Sequence, residues 1–121
     1  MAAKNPRLLQ AGAPVPVLIV GTIAAPTVGT ALTADPGATV DYLVKQIILS
    51  NMGAAANVVW IFLDTTTTVS SVERIIETSV AADSTTILYV NLRISNTYEL
   101  YGIATATNEV NVTIVGDIEA V

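Results

Sequence analysis

More than a third of this chain is β-branched, and that feature restricts its fold more than any other. The sequence contains 16 valines, 12 isoleucines and 16 threonines, which together make 44 of 121 residues. These side chains are restricted at χ1 and pack well on the pleated surface of a strand. We therefore predict an all-β protein.

Apolar and polar residues alternate with a period of two along most of the chain after residue 39, a pattern typical of strands. The segment 57–64 is apolar on both faces, which predicts a central strand. Residues 69–78 also fit a helical spacing, but the surrounding rhythm of short strands favours a strand there. The segments predicted as strands are 40–50, 57–64, 72–81, 85–94, 97–106 and 109–119.

These six segments and one or two edge strands in the first 38 residues give seven to eight short strands, and without a long helical segment they predict two sheets packed face to face. We expect an antiparallel β-sandwich with jelly-roll or immunoglobulin-like topology over residues 39–121. Residues 1–38 contain all five prolines, which remove backbone donors and favour strand edges and turns. This part is predicted to be an extended N-terminal arm with edge strands, lying either on a neighbouring subunit or on its own sheet.

The balance of apolar and charged residues indicates contact with other proteins. Hydrophobic residues make up 52% of the chain and charged residues only 12%, and soluble domains seldom leave large apolar patches uncovered. We expect a homo-oligomer, with a trimer favoured. The net charge of -5 gives no basis for binding nucleic acid or anionic lipid. The longest apolar stretch, residues 15–25, is too short to span a membrane as a helix.

Few residues in the sequence are suited to catalysis. The chain has neither cysteine nor histidine, which excludes thiolate and imidazole metal ligands, cysteine nucleophiles and histidine-dependent triads. The ten carboxylates are scattered, and Glu73 and Glu77 would lie about 13 Å apart on one strand face. We predict no enzyme activity, no cofactor, and no catalytic or metal-binding residue.

Candidate interface residues come from the proline-rich segment and from two tyrosines. Tyrosine is enriched at protein interfaces, and Tyr98 and Tyr101 fall on opposite faces of one predicted strand, so at least one should lie outside the core. Trp60 and Phe62, by contrast, are predicted core residues. The candidate interface residues are Pro14, Val15, Pro16, Val17, Leu18, Tyr98 and Tyr101.

A recurring order of motifs runs through residues 39–119. It starts with the turn Leu49-Ser50-Asn51 and small residues at 54–56, and continues with an apolar strand at 58–63. A second apolar strand at 84–88, a strand of the Tyr-x-Leu-x-Gly type carried by residues 100–105, and an alternating strand at 110–115 follow. This order resembles small structural proteins of tailed bacteriophages.

The resemblance implies a non-enzymatic virion component with a β-sandwich core. Its expected role is a capsid decoration (cement) protein on the virion surface, bound to the major capsid protein or to other virion proteins. A tail, neck or fibre component is an alternative. A carbohydrate-binding module for host recognition, or a glycosidase using carboxylates alone, would be a rival from another class.

Overall fold

The computed structural model describes residues 7–10, 18–19, 27–28, 30–66, 68–69, 72–106 and 109–121. Within these ranges the chain is all-β and forms no helix, which confirms the predicted fold class. The strands, numbered in chain order, are β1 (Arg7–Gln10), β2 (Leu18–Ile19), β3 (Thr27–Val28), β4 (Thr30–Ala31), β5 (Val40–Asn51), β6 (Asn57–Asp64), β7 (Thr68–Val69), β8 (Arg74–Val80), β9 (Ser84–Ile94), β10 (Glu99–Ala104) and β11 (Val110–Ala120).

Two sheets account for most of these strands. Sheet 1 has the order β1-β11-β5-β9, and sheet 2 has the order β2-β10-β6-β8, with β4 also pairing with β10. Pairing is antiparallel throughout both sheets except between β2 and β10. The short strands β3 and β7 form a separate ribbon. The two sheets share one hydrophobic core, so the molecule is an antiparallel β-sandwich.

The strand pairs are nested along the chain. β1 pairs with β11, β4 with β10, β5 with β9 and β6 with β8, and successive pairs alternate between sheet 1 and sheet 2. Nested antiparallel pairs divided between two sheets make a jelly roll. Of the two topologies that the sequence left open, the strand order therefore selects the jelly roll.

Alternating side chains of both sheets fill the space between them. In β11, the predicted inward face of Val110, Val112 and Ile114 is buried, and β9 alternates regularly along its whole length. The buried residues of this core are Leu32, Val44, Ile47, Leu49, Val59, Ile61, Val80, Ile94, Leu100, Ala104, Val110, Val112 and Ile114.

β6 is buried on both faces, as its sequence predicts for a central strand. Val59 and Ile61 face the shared core, whereas Trp60 and Phe62 lie in a second cluster with other buried side chains. That cluster also contains Val69, Tyr101 and Ile103. The prediction that Trp60 and Phe62 are core residues is confirmed.

A pair of bulges interrupts sheet 1 at Lys45. Gln46 pairs with Val115 while Val44 pairs with Gly116, so β5 has one extra residue here relative to β11. A Cβ atom on Gly116 would collide with the carbonyl oxygen of Leu43. Glycine is therefore required where the bulged backbones approach each other.

The described backbone before residue 39 pairs with strands of its own chain. β1 adds to the edge of sheet 1 at β11, and β2 and β4 add to sheet 2 at β10. Leu32 is buried in the core, and its N–H donates to the carbonyl of Leu100 over 2.7 Å. The Thr33 hydroxyl oxygen accepts from the N–H of Leu100 over 3.1 Å. Residues on the arm side of the predicted boundary thus complete the sandwich core.

Some strand limits differ from the predicted ones for local reasons. β10 begins at Glu99, two residues later than predicted, because Thr97 has a φ of 74° and lies in the turn after β9. The carboxylate of Asp35 accepts from the N–H of Thr97 over 2.9 Å and holds this conformation. Residues 74–80 form β8, so the strand favoured over a helix in this region is confirmed.

Candidate functional site

The candidate interface residues of the N-terminal segment are only partly covered by the structure. Pro14, Val15, Pro16 and Val17 lie outside the described residues. Leu18 begins β2, where its backbone pairs in parallel with Ile103 of β10. The structure therefore assigns Leu18 to an edge of sheet 2 within its own chain.

The two candidate tyrosines differ sharply in exposure. Tyr98 lies in the turn before β10 and is 43% exposed, whereas Tyr101 within β10 is only 3% exposed. The hydroxyl of Tyr101 donates to Glu99 over 2.8 Å. Burial, followed by the bond to this carboxylate, raises the pKa of Tyr101 to about 12. Of the pair, only Tyr98 offers a surface to another molecule.

Several carboxylates of the described residues make structural contacts. Glu77 accepts from the indole N–H of Trp60 and from Arg74, both over 2.9 Å. Among the residues that the structure describes, no three acidic side chains are grouped closely enough to hold a metal ion. Glu77 thus anchors the edge strand β8 to the second cluster through Trp60.

Asn51 is the centre of a buried hydrogen-bond network at one end of the sandwich. Its side chain is 2% exposed, and its Oδ1 accepts from the N–H of Gly53 over 2.9 Å. Its Nδ2 donates to the carbonyl oxygens of Ala55, Val80 and Ala81, at 2.8, 3.1 and 3.3 Å. One side chain therefore joins the link after β5 to the turn between β8 and β9.

Asn57 extends this network to a third loop. Its Nδ2 donates to Asn51 Oδ1 and to Glu109 Oε2, each over 3.1 Å. Its Oδ1 accepts from the hydroxyl of Thr105 over 3.0 Å and from the N–H of Ala106 over 2.8 Å. Because both asparagines are buried and well bonded, the network fixes three loops and leaves no amide aimed at a ligand.

A shallow pocket of about 320 Å³ lies beside this network. Its hydroxyl groups are largely paired with other protein atoms: Ser50 and Thr85 share a 2.7 Å bond, and Ser84 donates to Ala81 over 2.7 Å. The pocket is lined by Ser50, Asn51, Met52, Asp83, Ser84, Thr85 and Asn111. The lining combines polar groups with the Met52 side chain, and none of these residues carries an aromatic ring on which a sugar could stack.

β9 presents exposed apolar side chains at one edge of sheet 1. It lies at the end of sheet 1, with β5 as its neighbour on one side and no strand paired on the other among the described residues. Ile87 is 45% exposed and Tyr89 is 75% exposed on its outward face. A long apolar edge strand of this kind is a ready site for pairing with another chain. We call this surface, formed by residues 84–92, the β9 edge.

Charged residues border the β9 edge. Arg93 donates to Asp41 over 2.6 Å and lies 3.4 Å from a carboxylate oxygen of Glu119. The hydrogen bond to Asp41 is the main cause that raises the pKa of Arg93. Lys45 donates to Asn91 over 2.9 Å. These contacts connect β9, β5 and β11 at one end of sheet 1.

The β9 edge was not predicted from the sequence, although the sequence carries a signal for it. Residues 84–92 carry no charge, and they place apolar side chains on both faces of the strand. An uncharged strand that is apolar on both faces resembles a central strand, and only the sheet order shows that β9 lies at an edge.

No protein-family model and no curated protein matches this chain. No helix of the described residues is long and apolar enough to cross a membrane.

Proposed function

We propose that this chain is a non-enzymatic structural protein of tailed-bacteriophage virions, and specifically a capsid decoration (cement) protein. The observation that carries this proposal is the apolar surface that remains after the core is filled. Ile87 and Tyr89 project from the β9 edge, where burial against another protein would remove them from water. A surface of this kind suits a protein whose role is to bind other proteins.

The rigid sandwich supplies the rest of the mechanism. Burying apolar area gains about 25 cal/mol per Å², and a typical specific interface of about 1,600 Å² gives a large gross driving force. Ordering and desolvation consume most of it, so each single contact is weak. Many copies bound to one shell would act together through avidity and stabilise the particle.

The order of strands also supports an assembly role. Jelly rolls recur in viral capsid domains, and they also occur in lectins and cupins. A fold shared by many functions is only a weak guide. The resemblance of residues 39–119 to small phage structural proteins is what favours the virion among these possibilities.

The test is the composition of purified particles. Virions of the tailed phage that encodes the chain would be banded by density, and copies of the chain counted by quantitative mass spectrometry against the major capsid protein. A decoration protein should be present at a fixed ratio of hundreds of copies per particle. Particles that lack the chain should lose their DNA at a lower temperature and recover when the purified chain is added back.

Other results would change the assignment. A few copies per particle, in tails or necks, would replace the decoration role by the tail, neck or fibre alternative. Absence from washed virions, together with specific binding on a glycan array, would overturn the virion role in favour of a carbohydrate-binding module.

A further inference from the structure

We propose that the β9 edge of one copy pairs antiparallel with the β9 edge of a second copy about a two-fold axis. The two copies of sheet 1 would then form one continuous sheet. This inference goes beyond the virion role, because it concerns the purified chain and holds or fails whether or not particles bind it.

The β9 edge lacks most of the features that protect edge strands from pairing. Natural edges are blunted by charged side chains, prolines, bulges or a short length. β9 has eleven residues, and residues 84–92 contain no charge, proline or glycine. One bulge is present, where Val90 and Asn91 together lie opposite Lys45. The segment before that bulge is regular, and no strand of the described residues pairs with its outer side.

The side-chain pattern of this segment is complementary to itself. In an antiparallel pair, residues directly opposite each other lie on the same face of the sheet. A two-fold axis at Leu88 would place Ile87 of each copy opposite Tyr89 of the other, and Thr86 opposite Val90. Aromatic and β-branched residues make favourable cross-strand pairs, so each exposed apolar side chain of the edge would gain an apolar cross-strand neighbour.

Charge selects the antiparallel orientation. Asp83 precedes β9 and Arg93 lies near its other end, with no charged residue between them. Antiparallel pairing brings the acidic end of each strand toward the basic end of its partner. Parallel pairing would instead place like charges beside each other, which destabilises adjacent strands. The strand therefore fits a second copy of itself in one orientation.

Two oppositely charged double variants provide the test. In the first, Ile87→Lys is combined with Tyr89→Lys; in the second, Ile87→Glu is combined with Tyr89→Glu. Each variant would oppose like charges across the two-fold axis, and we expect its dimer dissociation constant to rise about 100-fold or more. A 1:1 mixture would oppose unlike charges and should restore a dimer. Sedimentation velocity over a range of concentrations measures dimer formation by the lysine variant, the glutamate variant and their mixture.

The matched control also adds two lysines, through Val72→Lys and Val121→Lys at strongly exposed positions outside β9. It should dimerise like the unchanged chain. The unchanged chain provides a measurement that needs no variant: amide hydrogen exchange of residues 84–90 should slow as the protein concentration rises.

Several outcomes would overturn the proposal. The proposal is wrong if the unchanged chain stays monomeric at a concentration about 100-fold above a micromolar dissociation constant. It is also wrong if the lysine variant dimerises as well as the unchanged chain. A trimer, the oligomer favoured by the sequence analysis, would show that another surface holds the copies together. β9 pairing would also be contradicted if the two folded variants formed no heterodimer in the 1:1 mixture.

Discussion

At the scale of single residues, Asn51 joins separate loops through hydrogen bonds, which an apolar side chain cannot form. Its amide satisfies backbone groups in the link after β5 and in the turn between β8 and β9, and it bonds to Asn57. A buried polar group stabilises a fold only when its hydrogen bonds are complete. The network thus fixes loops that alternation of apolar residues leaves undetermined.

Removal of this amide should be costly. We expect Asn51→Ala to lower the free energy of unfolding by about 3 kcal/mol, because carbonyl oxygens and the N–H of Gly53 lose their buried partner. Urea denaturation measures the change. The control is Asn111→Ala. Among the described residues the Asn111 side-chain amide donates only to the Met52 sulfur, so this substitution should change the free energy of unfolding by less than about 0.5 kcal/mol. Equal losses in the two variants would contradict the role of the network.

Tyr101 predicts how stability changes in alkali. Its pKa is about 12 in the folded chain against 10.0 for a free tyrosine, because burial and the Glu99 carboxylate disfavour the phenolate. Its stabilising effect is complete below pH 10 and is lost as pH rises from 10 through about 12. At about 1.4 kcal/mol for each pKa unit, the full loss is roughly 2–3 kcal/mol.

The measurement is urea unfolding at several pH values between 8 and 11. Tyr101→Phe should flatten the decline in stability above pH 10, since the titrating group is gone. Tyr98→Phe is the matched control, because its ring is exposed and should leave the decline unchanged. A decline that persists undiminished in Tyr101→Phe would show that other groups cause it.

At the scale of strands, the period-two pattern of apolar residues predicts where the strands lie. It does not predict which strands pair with each other. The segment 57–64 matches β6 residue for residue, because a strand buried on both faces has a distinctive apolar run. The bulge at Lys45 could not be predicted, since it depends on three strands meeting with different residue counts. The same holds for the β9 edge and for Asn51, whose roles depend on which strands become neighbours.

Gly116 tests the bulge between β5 and β11. We expect Gly116→Ala to destabilise the chain by about 3 kcal/mol, because its Cβ would strike the carbonyl oxygen of Leu43, a backbone atom that cannot move without shifting the strand. In Gly53→Ala the new Cβ would instead meet the end of the flexible Glu109 side chain, which can rotate away at the cost of its single hydrogen bond to Asn57. Thermal unfolding of both variants measures the difference, and a larger loss for Gly53→Ala would contradict this account.

At the scale of the whole molecule, the jelly roll makes distant parts of the chain depend on one another. The outermost pairs join β1 to β11 and β4 to β10, so strands at the start of the chain complete sheets built by its end. The composition shift near residue 38 predicts a boundary in sequence. In space, Leu32 lies in the same core as Leu100 and Ile61, on the far side of that boundary.

A pair of truncations tests this dependence. A chain of residues 30–121 and a chain of residues 39–121 both lack β1, β2 and β3, so their difference isolates β4 and the segment that follows it. The shorter chain loses the buried Leu32 side chain and both hydrogen bonds to the backbone of Leu100. We expect the shorter chain to be less stable than the longer one by about 3 kcal/mol or more. The fluorescence of Trp60, the single tryptophan, reports the unfolding of both chains.

Leu32→Ala in the full-length chain separates packing from chain length. It removes the same side chain while keeping every strand, and it should cost about 3 kcal/mol because Leu32 is fully buried against Gly102 and its neighbours. The loss should appear together in Trp60 fluorescence and far-UV circular dichroism, since β6 belongs to both clusters. Equal stability of the two truncated chains, with a neutral Leu32→Ala, would instead place an independent folding unit at residues 39–121.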